Sequence, residues 1–248
     1  YKIYADACEG KNLYDKDGKP KGKIPSQIMP TLKPFLLSLV CMGLFVVGTG
    51  KFPLLDPTDP QNFTPVVITE EFLQKPWIHR FAYAWVALIF IRMKYYFAWK
   101  NAEGACNIWY AGFEGFDEKG NAIGWENSNN VDIIAFETAP NVKTLSAAWN
   151  KKTANWLGRY VYMRSGGSLT ATYGLSAFWH GFYPGYYMFF LTVPLLTMCE
   201  RLGMKKISPR FSPKKWSLYG ISTIIATSVL VQYIVIAFQL LAFDWALA

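Results

Sequence analysis

Three long stretches of this chain contain no Asp, Glu, Lys or Arg: residues 34–50, between Lys33 and Lys51; residues 165–199, between Arg164 and Glu200; and residues 216–243, between Lys215 and Asp244. A helix needs roughly 20 apolar residues to cross the ~30 Å hydrocarbon core of a bilayer, with a usual range of about 17–25. The runs are therefore long enough to span. Only 17% of the 248 residues are charged and 52% are hydrophobic, whereas soluble domains carry about a quarter charged residues. Lipid, rather than water, is the expected solvent for much of the chain.

A fourth segment, 77–99, is apolar and aromatic but holds Arg80, Arg92 and Lys94. Its uncharged centre, 81–91, is too short to span alone, so the basic side chains must snorkel to the interfaces or face protein. The expected fold is all-α: a polytopic transmembrane helical bundle with amphipathic interfacial helices. It forms one membrane-embedded domain over 1–248, with spans near 34–50, 77–99, 166–199 and 216–243. The chain opens on Tyr1 with no initiator Met and no signal-peptide pattern, which suggests the C-terminal portion of a longer multi-span fold.

Residues 1–29, with Tyr14-Asp15-Lys16-Asp17-Gly18-Lys19-Pro20, read as a solvated connector. Residues 51–75 are rich in Pro and Asp and contain the sequon Asn62-Phe63-Thr64. The segment 100–164 is too polar to span. Its last part places Trp149, Trp156, Tyr160 and Met163 at helical spacing among Lys151, Lys152, Arg159 and Arg164, the pattern of one interfacial helix.

Residues 201–215 carry Arg201, Lys205, Lys206, Arg210, Lys214 and Lys215 with no acid, and short basic loops stay cytoplasmic. Loop 51–75 fits the lumenal side. Both assignments hold only if run 165–199 crosses an even number of times or enters and returns, with Pro184-Gly185 as the break; one long kinked helix would reverse the basic connector. Of the four cysteines, Cys41 and Cys199 lie in apolar runs and read as small buried hydrophobes, and Cys8 and Cys106 show no CxxC or metal spacing. Lysines and arginines exceed acids by eight, but they flank apolar runs, so they read as membrane-edge charges and nucleic acid is not an expected partner.

His180, in Trp179-His180-Gly181, stands inside the longest uncharged run. A polar ring there is either functional or hydrogen-bonded to a neighbouring helix, and position alone does not choose. A neutral imidazole suits removal of a hydroxyl proton in attack on a thioester, and uncharged surroundings favour that form. There is no G-x-S-x-G nucleophile elbow and no carboxylate in the run. The only other histidine, His79, stands beside Arg80 and reads as an interfacial residue, so no metal site is expected.

Trp149-Asn150, followed thirty residues later by the histidine of Ser176-Ala177-Phe178-Trp179-His180-Gly181, resembles the membrane-bound O-acyltransferases, which place a functional Asn before an intramembrane His. Residues 112–120, Phe136-Glu137-Thr138, Asn155-Trp156-Leu157, residues 159–164 and Pro184-Gly185-Tyr186-Tyr187 look like the lysophospholipid acyltransferase branch. The resemblance implies a multi-pass endoplasmic-reticulum enzyme with no bound cofactor, using acyl-CoA as co-substrate and a lysophospholipid from the surrounding membrane lipids, in a buried chamber. A homodimer is a candidate assembly. His180 would be the general base, and Asn150 would orient it or hold the oxyanion. Arg159 and Arg164 would meet coenzyme A phosphates or act as snorkelling anchors. Trp149, Trp156, Tyr160 and Trp179 would line an acyl tunnel or serve as packing. Rival readings are a family enzyme acting on diacylglycerol, a sterol or a protein, and a transporter subunit with His180 as a proton relay. The lack of membrane carboxylates counts against the relay.

Overall fold

The computed structural model describes residues 2–58, 64–211 and 217–241. Their regular structure is helical: α1 Lys2–Cys8, α2 Ile28–Lys51, α3 Glu70–Leu73, α4 Trp77–Ile108, α5 Ile133–Glu137, α6 Val142–Ala148, α7 Lys151–Leu157, α8 Leu169–His180, α9 Pro184–Lys206 and α10 Leu218–Leu240. Among the described residues, β-structure is confined to the isolated bridges Tyr14–Pro20, Leu55–Pro65 and Phe116–Ala122. Helices α2 and α10 are long and apolar enough to cross a membrane. Two compact units form, Tyr1–Val47 with Arg92–Val131 and Gly48–Ile91 with Asp132–Ala248, and the boundary falls within α2 and within α4.

In the first unit, α2 begins at Ile28 rather than at 34, and takes in Lys33 and Pro34. Pro34 has no N–H to offer the carbonyl of Pro30 one turn back, a loss that normally ends a helix. Here Asn107 Nδ2 donates to that carbonyl at 2.7 Å, and Asn107 Oδ1 accepts from Ser128 Oγ at 2.9 Å. Asn107 is 1% exposed, so the substitute bond is shielded from water. Helix α4 likewise outlasts its apolar pattern. Its polar end is used inside the unit: Lys100 pairs with Glu103 at 2.7 Å and donates to Asn129 at 3.2 Å. Arg92 is 9% exposed, so it faces protein, whereas Lys94 is exposed and lies over the Tyr95 ring.

The stretch expected to be a solvated connector is docked instead. Asn12 Nδ2 donates to the carbonyls of Tyr110 and Phe113, and the Tyr110 hydroxyl donates to Pro25 O at 3.0 Å. Partners so distant in sequence leave no local signature. Two turns in this unit are closed alike, Asp15 Oδ1 accepting from the amides of Asp17 and Lys19, and Asp117 Oδ1 from those of Lys119 and Asn121.

In the second unit, Leu54, Ala87, Leu88 and Leu240 form a buried cluster extended by Phe52 and Ile236. The 165–199 run is two helices broken at 181–183, and α8 and α9 pack against each other. Twelve residues of α8 reach only about 18 Å, short of a bilayer core. The run is therefore two helices rather than one long kinked helix. Helix α9 continues through Glu200 to Lys206, so Arg201, Lys205 and Lys206 are helical rather than part of a loop. Cys41 is buried as expected, but Cys199 is exposed because it lies on an outward face of α9. Asn62, Lys214, Lys215, Trp216 and Phe243 lie outside the described residues.

Candidate functional site

Helix α8 starts with Ser168 accepting the amide of Ala171 and ends at His180. Gly181 stops it at φ 123°, ψ −170°, a conformation open essentially only to glycine. The imidazole is thereby presented at a helix end. It stacks on Phe190 at 5.0 Å, and Trp179, Phe238 and Tyr186 stand at 5.3, 5.3 and 5.6 Å. These aromatics come from α8, α9 and α10, so three helices fix the ring. His180 remains exposed.

Two backbone features hold α9 and α10 at that spacing. Gly185 N–H donates to Leu241 O at 2.9 Å. A Cβ on Gly185 would stand 2.1 Å from the Ala237 carbonyl oxygen, so only glycine allows the approach. Leu241 itself has φ +63° as it ends α10.

Asn150 sits between α6 and α7 in the left-handed region, φ 47°, ψ 48°; asparagine tolerates this better than most residues. Its carbonyl accepts the Ala154 amide at 2.9 Å. The predicted single interfacial helix through Trp149 is therefore interrupted. Trp149 ends α6 and packs on Phe136 at 4.8 Å instead of joining Trp156. Beyond the break, α7 leads into a π-helical turn, Gly158–Tyr162, a distortion common at functional sites. It sets Trp156 against Tyr160 at 5.7 Å, and the Arg164 guanidinium 5.2 Å over the Tyr160 ring. Arg159 and Arg164 are exposed, as are Trp156, Tyr160 and Met163. Helix α8 packs against this turn.

The structure gathers aromatics around His180 and basic side chains around the π-helical turn. Trp179 belongs to the histidine cluster but is 65% exposed, and Trp149 packs on Phe136. Asn150 is connected to α8 along the chain through α7 and the π-helical turn.

Glu200 is a residue that sequence reasoning passed over. Its Oε1 accepts the Val142 amide at 2.6 Å. Burial pushes its carboxyl upward, and the backbone amides of Val142 and Lys143 together with Arg201 pull it back. One signal was available: it is the only acidic residue between Glu137 and Asp244. Among the described residues no group of three His, Cys, Asp or Glu could hold a metal ion.

The model of the membrane-bound O-acyltransferase family matches residues 16–243. The chain is 32% identical over 98% of its length to "Lysophospholipid acyltransferase 6" of Drosophila melanogaster, covering 34% of that protein. It is 35% identical over 98% of its length to the human "Membrane-bound glycerophospholipid O-acyltransferase 2", covering 47%. With "Lysophospholipid acyltransferase 1" of Arabidopsis thaliana it shares 31% identity over 97% of its length, covering 52%. The chain thus spans about a third to a half of the length of these curated relatives.

Proposed function

Because this chain belongs to the membrane-bound O-acyltransferase family, we propose that it is part of a multi-pass enzyme of the endoplasmic reticulum that transfers a fatty acyl group from acyl-CoA to the free hydroxyl of a lysophospholipid. The observation that carries this reading is the family match across residues 16–243, joined by relatives whose names specify lysophospholipid or glycerophospholipid acylation. The imidazole held at the end of α8 supplies a chemical centre.

In the proposed reaction a ring nitrogen of His180 takes the acceptor hydroxyl proton as the oxygen attacks the thioester carbonyl. The tetrahedral intermediate carries its charge on the former carbonyl oxygen, where Asn150 donates a hydrogen bond. Collapse breaks the carbon–sulfur bond, and the coenzyme A thiolate takes the proton back from the imidazolium. Arg159 and Arg164, exposed beside α8, suit the donor's phosphates. Aromatics including Trp149, Tyr160 and Trp179 offer apolar surface to the acyl chain.

The test is transfer of labelled acyl groups from acyl-CoA by the full-length protein across a panel of lysophospholipids, diacylglycerol, sterol and a protein acceptor. Phospholipid is the expected product. Transfer confined to the other acceptors, or none from acyl-CoA, would overturn the assignment.

A further inference from the structure

The N-terminal half of α9 holds the His180 ring through Tyr186 and Phe190. Ten residues beyond Phe190, about 15 Å along the helix axis, Glu200 accepts the first amide of α6 at 2.6 Å. Helix α6 is only seven residues long, too short to be stable without tertiary ties. Its other end is tied as well, because Ala148 O accepts the Asp132 amide at 3.0 Å. Two residues after Ala148 the chain turns through Asn150.

We propose that Glu200 is a positioning residue for acyl transfer: by accepting the Val142 amide it ties α6, and through it Asn150, to the same helix that holds the His180 ring. The proposal rests on reading Asn150 and His180 as partners in one reaction. The Glu200 oxygen accepts the Val142 amide at 2.6 Å, a short bond that suits a tie that must hold a short helix in register. Loss of the tie lets α6 shift relative to α9, and misplacement of a catalytic group by about 1 Å can cost up to about a hundredfold in rate.

The experiment compares Glu200→Ala, Glu200→Gln, Glu200→Asp and His180→Ala in the full-length enzyme, with kcat expressed per folded protein. Glu200→Ala lowers kcat about tenfold, with KM for acyl-CoA and for lysolipid unchanged within twofold. Glu200→Gln keeps an acceptor oxygen and recovers most of kcat. Glu200→Asp keeps the charge but withdraws it by one methylene, and falls below Gln. If the Ala variant does not accumulate, the order of Gln over Asp decides. Wild-type kcat in folded Glu200→Ala protein, with only its melting temperature lowered, overturns the proposal, as does Asp matching or exceeding Gln. His180→Ala separates the two levels. If it stays active, the chemical reading fails; if it is inactive while Glu200→Ala turns over normally, only the positioning role fails.

Discussion

Gly185→Ala isolates the contact that sets α9 against α10. The new Cβ would lie 2.1 Å from Ala237 O, 2.9 Å from Leu241 Cα and 3.1 Å from Leu241 C, all of them backbone atoms that no rotamer change can move aside. Ordinary van der Waals contact requires α10 to recede by roughly 1 Å. Overpacking of this kind costs about 1–3 kcal/mol, and the stretched bond from Gly185 N–H to Leu241 O adds about 1 kcal/mol. Replacing a helical glycine by alanine returns at most about 1 kcal/mol, so the net loss is about 1–4 kcal/mol. At roughly 2–4 °C per kcal/mol, the melting temperature followed by size-exclusion chromatography in detergent falls by several degrees. Turnover falls more steeply, because Phe238 leaves the His180 ring together with α10. Gly203→Ala is the internal control: it lies in the same helix with nothing within 4 Å of its Cβ, and should leave stability unchanged or raise it by up to about 1 kcal/mol. A Gly185→Ala enzyme with the melting temperature and turnover of Gly203→Ala would falsify the packing account.

His180→Ala should lower acyl transfer by about 10² to 10⁴-fold while the protein remains monodisperse; near-normal turnover by well-folded protein would make the ring a packing element of its aromatic cluster. Arg159→Gln or Arg164→Gln should each raise KM for acyl-CoA about tenfold, for loss of one contact worth about 1.5 kcal/mol, and leave KM for lysolipid unchanged; equal effects on both substrates return these residues to membrane anchoring. Asp117 is held below the ordinary carboxylate value of 3.8 by the Asn121 backbone amide, then its side chain and the Lys119 amide. Its contribution to the 116–122 turn is therefore complete above that value and lost as pH falls through the lower folded value. Amide exchange at Lys119 and Asn121 should accelerate only in that acid window, and uniform protection down to about pH 2 would contradict it.

The solvent and the helical character of this chain are legible without coordinates, because a charge-free run has a local cause: each residue in it avoids the cost of burying a charge in lipid. The ordered signature from Trp149-Asn150 to Trp179-His180-Gly181 pointed to the family for a similar reason, each of its short motifs being written in neighbouring residues. What the tertiary structure decided are the features whose partners are distant. Helix α2 starts at Ile28 because Asn107, 77 residues away, serves the carbonyl that Pro34 abandons. Asn150 breaks the aromatic periodicity that suggested one helix, since a left-handed residue is a matter of backbone geometry that side-chain spacing does not encode. The rings around His180 come from three helices, and Glu200 reaches an amide 58 positions earlier. Burial preference acts on each residue where it stands, whereas a hydrogen bond or a ring contact belongs to a pair, and the fold alone brings the two members together.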